Sequence, residues 1–418
     1  MSARHYSLWL LARRSLRQHS LSTFVTALSL ALASGLVMAV LGISAQSRTA
    51  FTIESTPFDA VLGARGSQLQ LVLNSVFHLE TSPGNLPWSA YQDVQKRPGV
   101  RAAVPYAVGD SWRGFRVVGT NAQMFDAELL GPRTPRPSVG RVFDETLREA
   151  VIGSYVAART GVRIGDEIHP EHGVDEGHEH DEDYVVVGVL APTNTPLDRC
   201  VWIPIEGMFR MGGHVLRGSG EEYHPQHDEE IPEEVKEVSA VLLAFSSPQV
   251  GLELDREFNK SGKDATLAWP IARVMAELFD KLGWMDRVLT LVALLTMLVG
   301  AASIVASLYD AMHQRRREMA ILRALGARRG QLSRVVVLEA TAIAALGALG
   351  GFVVYAAILF VARGILREQT GIVLDPTAVH ASLALVPLAL LALGALCGAI
   401  PAWKAYRVEV AEDLGPTS

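Results

Sequence analysis

Residues 21–43 read LSTFVTALSLALASGLVMAVLGI, a run without a single charged side chain. Coiled into an α-helix at about 1.5 Å per residue, it reaches across a hydrocarbon layer of about 30 Å. A helix satisfies its own backbone hydrogen bonds, which a chain must do where no water is at hand. Three more runs repeat the pattern farther along: residues 288–309, residues 335–361 with the single acid Glu339 near the start, and residues 381–400. None carries the polar stripe at 3.6-residue spacing that a buried helix of a water-soluble protein shows. The sequence therefore predicts a membrane protein with four transmembrane α-helices, at 21–43, 284–309, 335–361 and 381–400. Arg13, Arg14 and Arg17 precede the first run as they would in a secretory signal. The run is longer than the roughly 7–15 apolar residues of such a signal, so an uncleaved anchor is expected.

Arginine placement sets the expected orientation. Three arginines lie in the segment 1–20, and Arg315, Arg316, Arg317, Arg323, Arg328, Arg329 and Arg334 lie in the connection 310–334. Both segments are expected on the cytoplasmic side, because positively charged loops stay there. The tail 401–418, with Lys404 and Arg407, returns to the same side. The loop 362–380 and the long stretch 44–283 then lie outside.

The remaining arithmetic narrows the function. A chain of 418 residues exceeds one ordinary core. With 49% hydrophobic and 20% charged residues, it is not a disordered chain. A net charge of -6 argues against a nucleic-acid partner, which would require a basic face. Cys200 and Cys397 are the only cysteines, too few for a disulfide framework or a four-cysteine zinc site.

The external stretch alternates and is punctuated like a folded α+β domain. Strands are expected at 150–152, 184–190, 201–203 and 238–245, and helices at 87–95, 154–160 and 249–260. Two patches inside it are acidic and rich in histidine. One carries His169, His172, His178 and His180, and the other carries His224 and His227. Imidazole suits zinc, copper or nickel, and neighbouring carboxylates can orient it. Two other readings stand beside metal binding: solvated acidic loops, and a pH sensor in which carboxylates hold protons on imidazole. No H-E-x-x-H helix signature is present, so catalytic zinc is not expected.

The connection between the second and third spans is the most specific stretch: RRREMAILRALGARRGQLSR, residues 315–334. Met319, Ile321, Leu322 and Leu325 fall on one helical face, and Gly326 is placed to end the helix. From charge alone, docking into a partner's groove and contact with lipid headgroups are equally supported. This segment resembles the cytoplasmic element after the second helix of the FtsX/MacB-type, mechanotransmitting ABC-transporter permeases. The resemblance is carried by Arg317, Glu318, Met319, Ala320, Ile321, Leu322, Arg323, Ala324, Leu325, Gly326 and Ala327. Pro401-Ala-Trp-Lys-Ala405 with Glu412 and Leu414 is similar to the family's C-terminal motif, although Val410 stands where a proline is common. AVIGSYVA at 150–157, GVRIGDE at 161–167 and VVVGVL at 185–190 resemble the MacB-type periplasmic domain.

The resemblance implies a bacterial inner-membrane permease with both termini in the cytoplasm and a MacB-like periplasmic domain at 44–283. It also implies an ABC ATPase on a separate chain, a permease homodimer or heterodimer, and a coupling role for residues 317–326. The amphipathic stretch 271–285 would be a rigid extension of the second span. The cargo class would be a peptide, a lipoprotein or a metal-linked partner. A regulator of a periplasmic cell-wall hydrolase and a periplasmic metal sensor or carrier are the alternatives. No G-x-x-x-x-G-K-[ST] phosphate loop occurs, so this chain is not expected to hydrolyse ATP, and no arrangement of nucleophile and base marks it as an enzyme. Gly347 with Gly351, and Gly394 with Gly398, form small-residue faces suited to close helix packing. Glu339 reads as an interfacial or helix-pairing acid.

Overall fold

The computed structural model describes residues 3–18, 20–50, 56–172, 182–211, 231–262, 264–314, 320–321, 323–324, 327–370, 374–375, 378 and 380–406. The chain divides into two compact units. One comprises Met1–Ser47, Leu282–Gly364 and Leu374–Ser418, and the other comprises Arg48–Lys281 and Ile365–Val373.

The first unit is helical. Four helices are long and apolar enough to cross a membrane, over Ser20–Ser47, Gly283–Asp310, Arg329–Thr370 and Ser382–Trp403. Their order matches the four uncharged runs. A helix at Ala3–Gln18 precedes them, in a segment for which the sequence reading predicted no structure. It carries Arg13, Arg14 and Arg17, and both Trp9 and Leu10 are exposed.

Small residues hold the unit together. A Cβ added at Gly347 would stand 2.5 Å from Leu30 Cβ, and one added at Gly351 would collide with Ser34 Oγ on the first span. Ser34 Oγ also donates to the Gly347 carbonyl at 3.4 Å. On the third span's other contact, Cβ atoms at Gly394 and Gly398 of the fourth span would stand 2.5 Å from Ala344 and Ala340. The third span is therefore the shared partner of the first and the fourth. Close backbone approach at these glycines adds to the burial of side chains such as Leu30 and Met38, as expected where lipid is as apolar as leucine.

The second unit is built on a mixed sheet. Its strands lie in the order Ala265–Ala268, Ala60–Ala64, Ala240–Phe245, Val100–Trp112, Phe115–Thr120, Cys200–Pro204, Glu149–Ile152, Tyr184–Leu190 and Pro137–Gly140. Most pairs are antiparallel. Cys200–Pro204 runs parallel to Phe115–Thr120, and Glu149–Ile152 runs parallel to Tyr184–Leu190. Several strands are buried along their whole length, including Ala240–Phe245 and Cys200–Pro204. Such strands read as continuous apolar runs because both faces are covered. Trp202, Tyr106 and Phe77 fill one core with Val104 and Leu242.

Local chemistry sets the element ends. Helix Ser154–Thr160 stops at Gly161, whose φ of 75° is the left-handed conformation that glycine adopts at low cost. The expected strand 238–245 is divided into Glu237–Val238, paired with Leu86–Pro87, and Ala240–Phe245. The expected helix 249–260 is Pro248–Asp255, continued by a π-helical turn over Arg256–Ser261.

Ile271–Gln314 is a single helix. Its first turns belong to the sheet unit, where Ile271, Val274 and Met275 are core residues and Leu278 and Phe279 pack against them. Gly283 lies farther along this helix, and a Cβ there would meet nothing within 4 Å.

Candidate functional site

Of the coupling segment, Ala320, Ile321, Arg323 and Ala324 are described, while Arg317, Glu318, Met319, Leu322, Leu325 and Gly326 lie outside the described residues. Ala320 is fully buried and Ile321 is 45% exposed. Ile321 thus offers an uncovered apolar side chain on the segment where docking is expected.

His178, His180, His224 and His227 also lie outside the described residues. His172 sits in the short strand Glu171–His172, in register with Asp110. His169 is half-exposed, and its Nδ1 is 2.5 Å from Asp183 Oδ1. A carboxylate on one imidazole nitrogen fixes the ring and leaves Nε2 as the free donor atom, the arrangement common behind metal-ligating histidines. Among the described residues no group of three or more His, Cys, Asp or Glu side chains could hold a metal ion.

A polar cluster that the sequence reading did not single out lies within the core of the sheet unit. Tyr106 OH donates to the Asn74 carbonyl at 3.1 Å. His78 Nδ1 is 2.9 Å from the same hydroxyl. With the hydroxyl proton directed at Asn74, Nδ1 carries the imidazole proton and Nε2 is a bare acceptor. That Nε2 and Trp202 Nε1 are enclosed without a hydrogen-bond partner. His78 has φ of 54°, an uncommon conformation for a residue other than glycine. Burial, helped by the nearby Arg116 charge, lowers its pKa to about 3. The ring is therefore neutral throughout the physiological range.

Arg116 donates to the carbonyls of Asn74 at 3.1 Å and Glu80 at 2.9 Å. Arg199 donates to the Gln369 carbonyl and lies over the Tyr155 ring, 5.8 Å from its centroid. Both guanidiniums bear on Cys200, whose thiol burial pushes up to about 12 against their opposing pull. A buried thiol of this kind is inert as a nucleophile at neutral pH. The sequence signal for the cluster is slight, because Asn74, His78, Tyr106, Arg116 and Trp202 are brought together only by the fold.

The chain matches two family models. Residues 23–241 match the MacB-like periplasmic core domain, and residues 290–410 match the FtsX-like permease C-terminal. Among solved structures, the crystal structure of the periplasmic region of MacB from Actinobacillus actinomycetemcomitans is similar, with 11% sequence identity and a TM-score of 0.33. That similarity covers 55% of this chain and 95% of the other. The curated proteins contain no match. With one model spanning more than half of the sequence and the other covering its last three membrane-length helices, this chain belongs to the FtsX/MacB-type family of ABC-transporter permeases.

Proposed function

We propose that this permease converts ATP hydrolysis on a separate subunit into movement of its periplasmic domain. It lies in the bacterial inner membrane with both termini in the cytoplasm. The observation that carries this reading is the uninterrupted helix Ile271–Gln314, which begins among core residues of the sheet unit and includes the second membrane-length span. A continuous helix of this kind can transmit displacement along its length because its backbone bonds are all internal. The coupling residues 317–326 come shortly after its last residue in the sequence. Ile321 with Met319, Leu322 and Leu325 forms the apolar face that enters a groove on the ATPase, while the arginines bind the surrounding acidic surface or lipid headgroups. Two permeases and two ATPases form the complex, and the cargo is a peptide, a lipoprotein or a metal-linked periplasmic partner.

Co-purification of the full chain with its ATPase, followed by ATP turnover in lipid nanodiscs, tests the reading. Ile321→Asp is expected to abolish co-purification, because a charge on the docking face is left without a partner. Retained ATPase binding and unchanged turnover in this variant would overturn the coupling role. Export of a reporter fused after residue 320 would overturn the orientation.

His169, held by Asp183, favours a second element of function: the histidine loops bind a transition metal such as zinc, with His172, His178, His180, His224 and His227 as further ligands. Zinc titration of the full chain tests it, and binding unchanged after all six histidines are replaced by alanine would reject it.

A further inference from the structure

We infer that the sheet unit holds a binding site for a small organic monocarboxylate with an apolar body, in the cavity walled by Arg116, Arg199, His78, Phe115 and Phe77. The cavity has a volume of about 330 Å³. That is at the small end of the roughly 300–1,000 Å³ range of ligand pockets, so the occupant has few heavy atoms.

The charge arrangement sets the ligand class. Arg116 and Arg199 donate to main-chain carbonyls, so each is positioned by a neutral acceptor rather than by a carboxylate. Arg199 Nε is enclosed without a partner. A guanidinium fixed in this way binds a carboxylate through charge-assisted hydrogen bonds, about twice as strong as neutral ones. Neutral His78 adds no competing cation. Phe77, Phe115, Leu79 and Pro196 supply apolar wall for the rest of the molecule.

Two carboxylates share the lining, Asp110 and Glu80. Asp110 is buried and Glu80 is exposed. These two carboxylates balance the two guanidiniums, so a doubly charged anion such as phosphate leaves twice the excess negative charge that a monocarboxylate does, which favours the monocarboxylate. Such a carboxylate can come from a short acyl chain or from the C-terminus of a peptide. Binding here requires no ATPase, so it stands or falls separately from the coupling of the two subunits.

The test is calorimetric titration of the full chain in nanodiscs with hexanoate, N-acetyl-dialanine, their amides, and inorganic phosphate. Saturable binding of hexanoate points to an acyl source and of N-acetyl-dialanine to a peptide source. Either one supports the site, provided that the matching amide binds at least about tenfold more weakly, the effect of losing a hydrogen bond to a charged group. Arg199→Gln is expected to weaken binding of the acid by about tenfold or more, with Arg199→Lys restoring part of it. The acid–amide comparison needs no variant, so misfolding of Arg199→Gln would not shield the site from the test. No saturable binding of either acid, equal binding of acid and amide, or preferential binding of phosphate would each overturn it.

Discussion

The membrane unit and the sheet unit pack by opposite rules. In the sheet unit the largest side chains are innermost, with Trp202, Tyr106 and Tyr184 almost wholly covered. In the membrane unit many large residues face outward, among them Phe360 at 80% and Val353 at 70% exposure, while Ala340, Ala344, Gly347, Gly351 and Ser34 lie at the contacts between helices beside buried Leu30 and Met38. Water drives apolar bulk inward, whereas a lipid-facing surface has no such gradient and rewards close backbone approach instead. One chain thus carries two packing codes, and position in the chain decides which one applies.

Substitutions that exchange the two codes test the contrast. The largest effect is expected for Trp202→Ala, which removes the centre of a core and should destabilise the sheet unit by about 3–5 kcal/mol, read from chemical denaturation of the full chain followed by near-ultraviolet circular dichroism. Gly351→Leu is expected to separate the third span from the first by forcing a side chain onto Ser34. Overpacking costs about 1–3 kcal/mol, visible as a lower yield of monodisperse protein in detergent.

Acid sharpens the difference further, because His78 and Glu149, whose shifts bear on stability below neutral pH, both lie in the sheet unit. His78 stays neutral in the fold down to about pH 3, while an unfolded chain takes up that proton near pH 6.5. Between these values the unfolded state binds the extra proton, so stability falls as pH falls, by at most about 1.4 kcal/mol per pH unit. Glu149, whose carboxyl is held low chiefly by Arg141, adds a loss in the same direction once pH drops through the ordinary carboxylate range. His78→Gln should flatten the upper part of the curve, measured as denaturation midpoint against pH. The smallest effect belongs to Phe360→Leu, an exchange on an exposed face, which should change stability by no more than about 0.5 kcal/mol. A loss as large as that of Trp202→Ala would mean that Phe360 is covered by another protein, and the contrast between the units would fail there.

Much of the membrane unit was legible because an uncharged run of twenty or more residues has few alternatives. The glycine pairs were legible as faces but not as pairings. Nothing in Gly347 and Gly351 says that they meet Leu30 and Ser34, or in Gly394 and Gly398 that they meet Ala344 and Ala340. In the sheet unit the strand Tyr184–Leu190 and helix Ser154–Thr160 stand where local pattern placed them. The long strand Val100–Trp112 escaped notice because Arg101, Pro105 and Asp110 interrupt its apolar pattern, and its six-residue antiparallel pairing with Ala240–Phe245 is made far away in sequence. His78 was invisible as a site residue for the same reason: its neutral state depends on Tyr106, Arg116 and enclosure, none of which is local.

Gly283 bears on how the long helix Ile271–Gln314 behaves. No neighbour would obstruct an alanine there, and alanine would strengthen the helix by about 1 kcal/mol. Crowding therefore does not explain the glycine. Its effect is to lower the intrinsic helix stability within two residues of Lys281, where one compact unit ends along the chain and the other begins. An alanine there would therefore add helix stability without disturbing any packing, so the single methyl group it brings is a clean way to stiffen this part of the shaft.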